Sequence, residues 1–219
     1  IVSTSYMTDT VVLDDLRSIK FVTSLPDGYT KIGMLSTKLP VFANADKTGI
    51  AFVANKIYAP ANSYQLFKCG YITELDIGVL DTSKVTNMSE MFYEVRAGEI
   101  DISGFDTSNV TTMESMFHSC WNVKSLDFSN FNTSKVTNMT SMFYNCIALT
   151  DIDLFSFDTS NVTIIGSMFY NCRALKTVNL KSFNTAKVTQ MERVFYYCLA
   201  IESLDSKNFD TSSVGYFDG

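Results

Sequence analysis

No stretch of the chain approaches eighteen consecutive apolar residues, so nothing in its 219 residues reads as a membrane-spanning helix. No stripe of Lys and Arg exists either. The 17 basic residues are outnumbered by 23 acidic ones, for a net charge of −6. That balance leaves nothing to neutralise a run of phosphates and argues against nucleic acid as a partner. A single histidine, His118, has no Ser, Cys or acid at a catalytic spacing. The five cysteines include no Cys-x-x-C pair and no Cys/His cluster, which argues against zinc. The first residues, Ile1-Val-Ser-Thr, lack a Met and a basic segment, so no signal peptide is read there. A mature or trimmed form is the expectation, with any export signal or wall anchor outside this sequence. The close of the sequence also reads as cut, since Phe209-Asp-Thr-Ser-Ser-Val stops before its Met-Phe pair.

What the chain does have is a beat. Cys120, Cys146, Cys172 and Cys198 are spaced by 26 residues. Phe105, Phe131, Phe157, Phe183 and Phe209 keep nearly the same step, as do Met116–Phe117, Met142–Phe143, Met168–Phe169 and Val194–Phe195. A fixed period in this range means a stacked array of similar units. With 46% hydrophobic and 18% charged residues, one elongated globular array is expected rather than disorder. The clearest units are Phe131–Ser156 and Phe157–Ser182. Leu80–Gly104 is one residue shorter and carries Val95 in the cysteine column.

Two rhythms run through each unit. Ile152-x-Leu154, Leu126-x-Phe128, Val178-x-Leu180 and Ile100-x-Ile102 have period two, which predicts short strands stacked as a parallel sheet at about 4.8 Å per unit. Met139, Met142, Phe143 and Cys146 are spaced three, one and three apart, which predicts a short helical turn on the opposite side. Asp81, Asp106, Asn132, Asp158, Asn184 and Asp210 form one column in which acid and amide interchange. The oxygen therefore matters more than the charge, and Asx-turns are expected. Valine alternates with cysteine in the Cys column, so a buried column of reduced thiols is expected over disulfides or metal.

The pattern C-x-x-L-x-x-I-x-L, preceded by Met-Phe-x-x-Cys and followed by Asp-Thr-Ser-x-Val-Thr, resembles the bacterial BspA-like leucine-rich repeats. It is also similar to the 26-residue repeat of bacterial surface proteins. The resemblance covers the chain from about residue 65. It implies an α/β repeat, a right-handed leucine-rich-repeat solenoid with a parallel β-sheet and short helical turns, carried by an exported cell-surface protein. It supplies no catalytic residues. The expected division is a small β-rich N-terminal capping region over residues 1–64 and the solenoid over 65–219. Within the cap, Asp9–Lys20 reads as a helix, Lys20–Leu25 as a strand before a Pro26-Asp27-Gly28 turn, and Gly49–Ala54 with Ile57–Ala59 as a hairpin.

Three surface columns are candidates. The residue between the two inward strand positions is Asp76, Asp101, Asp127, Asp153, Asn179 and Asp205. Like charges one unit apart repel, so lysines, counter-ions or a basic partner must offset them; a plain solvated face is the alternative. Tyr93, His118, Tyr144, Tyr170 and Tyr196 form an aromatic column, read either as mutual stacking or as interface anchors. Trp121, Ile147 and Leu199 share a variable column with Arg173, and Phe155 stands where other units carry Ser129, Lys181 or Lys207. Irregular apolar residues are the better binding candidates, because the repeat does not demand them. Asn-x-Ser/Thr matches, as at Asn87, Asn109 and Asn161, arise from the repeat itself.

The expectation is therefore a non-enzymatic recognition or adhesion module on a bacterial surface, monomeric and without cofactor. Its partner would be an extracellular protein or glycan held through Asp101, Asp127, Asp153, Asp205 and Phe155. The competing reading is a stalk that presents another domain. A glycosidase built on paired acids is disfavoured, because a flat ladder of like carboxylates offers no cleft and no distinct acid and base.

Overall fold

Hydrogen bonds between residues one repeat apart organise the molecule. In the computed structural model, which describes residues 16–34, 40–205 and 207–215, parallel bridges run Asn62 to Asn87, Asn87 to Thr112, Thr112 to Asn138, Asn138 to Ile164 and Ile164 to Gln190. Each unit thus lies beside the next in the same direction. Inward residues from every unit join one core. It includes a phenylalanine column, Phe92, Phe117, Phe143, Phe169 and Phe195, stacked at 5.2, 5.9, 5.2 and 5.3 Å. No unit buries its apolar side alone, so the stack is also the hydrophobic core.

The expected α/β leucine-rich-repeat solenoid is not what forms. Among the described residues there is no helix, and the strands are short and lie in small sheets. The segment read as a helical turn is a run of tight turns. The N–H groups of Met116, His118 and Cys120 donate back to the carbonyls of Met113, Ser115 and Phe117. Those of Met113, Ser115, Phe117 and Ser119 donate forward to Asn138, Thr140, Met142 and Tyr144 of the next unit. A helix would direct every N–H to its own fourth-previous carbonyl and leave none for the neighbour. Here the groups alternate between the two directions, and all find partners. The alternation needs a left-handed residue in each turn. Ser115 and Ser119 supply it with φ of 53° and 58°, and Ser141 and Asn145 do so one unit later at 53° and 61°. Short polar side chains tolerate that region better than β-branched ones. The three-one-three spacing of buried residues fits such turns as well as a helix, so periodicity alone misled.

Nor is the strand side a continuous sheet. Past the first unit, among the described residues, only β8 (Asp151–Asp153) and β9 (Thr177–Asn179) pair there, parallel and in register. Leu126, Phe128, Ile152 and Leu154 are all buried as expected, but Leu126 and Phe128 lie outside any strand. Asx-turns bend the chain immediately after each three-residue segment. The N–H groups of Ser129 and Phe155, for example, donate to Asp127 and Asp153 at 2.9 Å each.

At the N-terminal side, a five-stranded mixed sheet has the order β2 (Thr30–Met34), β3 (Pro40–Ala43), β4 (Gly49–Val53), β1 (Ser18–Val22), β6 (Glu74–Asp76). β1 runs parallel to both β4 and β6, which carries the sheet onto the first repeated unit. The hairpin expected from Gly49–Ala54 and Ile57–Ala59 is absent. β4 pairs antiparallel with β3, while β5 (Ile57–Tyr58) pairs parallel with β7 (Leu80–Asp81) of the repeat. Most of the Asp9–Lys20 helix expectation lies outside the described residues, and its last part is wrong, since Ser18–Val22 is a strand. Gly28, at φ 79°, turns the chain after Pro26-Asp27 as the sequence indicates.

Candidate binding surface

Two columns of Asx-turns brace the stack. In the first, Asp81, Asp106, Asn132, Asp158, Asn184 and Asp210 each accept the backbone N–H two residues on, at 2.8–3.1 Å. Acid and amide do the same work there, as their interchange implied. Directly after Asp106, Asp158 and Asn184 of this column comes a buried threonine. Thr107 donates its hydroxyl to Asn132 O at 3.0 Å and accepts the Asn132 N–H at 2.8 Å, so one side chain clamps both backbone groups of the next unit. Thr159 does the same to Asn184, and Thr185 to Asp210.

The second column holds the candidate carboxylates. Asp101, Asp127, Asp153 and Asp205 accept N–H groups from Ser103, Ser129, Phe155 and Lys207 at 2.9–3.3 Å. The Ser103 hydroxyl and N–H hold the Asp101 carboxyl below its ordinary value, against opposing pushes from partial burial and then from the Asp127 charge. Asp127 is lowered mainly by the Ser129 N–H. Asp153 also accepts from Asn179 Nδ2 at 2.8 Å, so the amide in the column relieves one repulsion directly. None of the expected lysines, Lys124, Lys176, Lys181 or Lys207, forms an ion pair with this column. The three ion pairs among the described residues are Lys20–Glu74, Lys56–Asp81 and Lys68–Glu90. Turn hydrogen bonds, rather than lysines, therefore offset the repulsion.

The structure gathers the candidates on one face. Asp127, Asp153 and Phe155 line a shallow cavity of about 260 Å³ floored by Leu126 and Phe128. Asp153 and Asp205 line a second, more open hollow of about 400 Å³. Phe155 is 63% exposed. Glu99 and Asp151, two residues before Asp101 and Asp153 and also exposed, extend the acidic face. Period two along each segment puts them on the same side as Asp101 and Asp153, a signal that the column of single residues leaves out.

The other columns resolve differently. Tyr93, His118, Tyr144, Tyr170 and Tyr196 stack ring on ring at 4.4, 4.6, 4.5 and 5.2 Å, so their faces are spent on one another. His118 is held in that stack, and burial lowers its pKa. The thiols are free. Cys120, Cys146 and Cys172 are buried, and Cys198 is half-buried. Each S–H donates to the carbonyl of a phenylalanine in the preceding unit at 3.0–3.1 Å. Burial pushes the Cys146 thiol up to about 12. In the variable column Ile147 and Leu199 are 41% and 72% exposed, while Trp121 is half-buried.

No helix among the described residues is long and apolar enough to cross a membrane. No curated protein and no solved structure matches the chain. One family model, described as a Mycoplasma protein of unknown function, DUF285, matches residues 62–177 and again residues 148–219. The two matches together run through the whole repeated region, well over half of the chain, and the protein belongs to the DUF285 family.

Proposed function

We propose that this chain is a non-enzymatic recognition module of a bacterial cell-surface protein, binding a basic extracellular protein or glycan through its acidic face. The observation that carries the reading is the grouping of Asp127, Asp153 and the exposed Phe155 around one cavity. The family match and the likeness of the repeat to BspA-like surface proteins support the location. The turns hold the backbone of this face rigid through hydrogen bonds, so docking there orders little of the protein and keeps the entropic cost of binding low. The carboxylates attract a basic partner, speed its approach and make affinity fall with salt. Phe155 supplies an apolar anchor at the centre.

The test begins with an array of matrix proteins and glycans, basic and neutral, followed by association kinetics across a salt series. Asp127→Asn with Asp153→Asn keeps an acceptor for the Ser129 and Phe155 N–H groups. The double variant should therefore melt at the same temperature or higher, yet associate more slowly with the captured ligand. A wild-type association rate at every salt concentration would leave the acidic face as solvated surface and move the stalk reading ahead.

A further inference from the structure

A second face carries the opposite chemistry. Arg96 stands between two aromatic rings, its guanidinium carbon 6.0 Å from the Tyr71 centroid and 5.1 Å from the Trp121 centroid. Planar guanidinium groups favour such stacking, which leaves their in-plane N–H edge turned outward. Arg96 is exposed, Tyr71 is 59% exposed, and among the described residues no side-chain hydrogen bond or ion pair engages the guanidinium. From Trp121 the column continues at steps of 26 through the exposed Ile147, Arg173 and Leu199. Arg173 donates Nε–H to Asn171 Oδ1 at 2.7 Å, which fixes its direction, and its terminal nitrogens have no partner among the described residues. Two arginines that form no ion pair among the described residues thus stand on one stripe of a molecule with more acidic than basic residues.

We propose that this stripe binds a linear glycan bearing carboxylates, with Arg96 as the carboxylate fork and Tyr71 and Trp121 as the platform for a sugar ring. The guanidinium matches a carboxylate with two parallel hydrogen bonds. The exposed parts of the flanking rings, with Ile147 and Leu199 further along, offer apolar surface to the C–H face of a pyranose. Asn122 Nδ2 donates to Arg96 O at 2.8 Å, which commits the amide nitrogen and leaves its oxygen to accept a sugar hydroxyl. Arg173 lies three units further on, about 14 Å at the spacing of stacked strands. A ligand that reaches both arginines must therefore be an oligosaccharide. This stripe shares no residue with the two hollows of the acidic face, so the inference stands whether or not the acidic face binds anything.

The chain's single tryptophan is the reporter. Trp121 fluorescence is followed while the whole chain is titrated with a hyaluronan octasaccharide, whose carboxylates sit on alternate sugars. A neutral maltooctaose and a glutamate decapeptide serve as comparison probes. The expected result is a saturable change with hyaluronan alone. Arg96→Gln should weaken it by about tenfold or more, since a charged bidentate pair is lost. Arg96→Lys should also weaken binding, because the fork is gone although the charge remains. Arg173→Gln should weaken the octasaccharide but not its disaccharide. The double variant Asp127→Asn/Asp153→Asn should bind hyaluronan as the wild type does, which separates this site from the acidic face. Unchanged melting temperatures show that the variants fold. Equal affinity of wild type and Arg96→Gln, or an equal response to maltooctaose, overturns the proposal. Tighter binding of the glutamate decapeptide overturns it in favour of an acidic protein partner.

Discussion

Thr107→Val is the sharpest test of how the units hold one another. The change conserves shape and removes one hydroxyl. That hydroxyl makes two bonds to the next unit, donating to Asn132 O at 3.0 Å and accepting Asn132 N–H at 2.8 Å. Thr107 is fully buried, so water does not replace either bond. Each neutral hydrogen bond contributes about 0.5–1.5 kcal/mol net. The pair therefore predicts a loss of roughly 1–3 kcal/mol, or about 2–12 °C in melting temperature for a chain of this size. Thr137→Val is the matched control. Its hydroxyl is on the exposed side and makes one long bond, to Thr111 O at 3.3 Å. It should cost less than about 0.5 kcal/mol. Thermal melts and urea midpoints measure both variants. Equal effects of the two substitutions would refute the clamp, and so would a Thr107→Val protein as stable as the wild type.

Two further predictions follow from the turns and the thiols. Lys56 first, then the Ser83 hydroxyl and N–H, hold Asp81 at about 2, and the Asx-turn aspartates Asp106, Asp158 and Asp210 are also lowered, chiefly by the serine two residues on. Because these folded values lie below the unfolded value of about 3.9, their contribution is present above pH ~4 and is lost as pH falls toward 2. Melting temperature should drop over that window, less steeply in Asp81→Asn; a flat profile would count against the assignment. Cys120 and Cys146 should resist thiol reagents until the protein unfolds, because burial raises both thiols. Cys198, half-buried where those two are fully enclosed, should be modified before either, and mass spectrometry after timed labelling gives the order.

Several features were legible in the residues because they repeat. The 26-residue period, the inward Met, Phe, Cys and Leu columns and the Asx-turns all follow from local chemistry stated again in each unit. Interchange of Asp158 with Asn184 shows an acceptor at work before any coordinate does. The candidate surface was partly legible for the same reason: Phe155 stands out as an exception in a regular column.

What the tertiary structure decided is how each backbone group finds its partner. Spacings of three, one and three are shared by a helix and by turns with left-handed residues at Ser141 and Asn145. Only the neighbouring unit, which takes every second N–H, selects the turns. Strand length was likewise set by the Asx-turns that follow Asp127 and Asp153, and the destination of Ile57–Tyr58 by a partner, Leu80–Asp81, distant in sequence. Tyr71, Arg96 and Trp121 keep the same step of 25 residues as Phe67, Phe92 and Phe117, so the repeat already aligned them, and the fold added the contact of guanidinium with ring. Local chemistry wrote the columns; competition between intra-unit and inter-unit hydrogen bonds chose the structure that holds them.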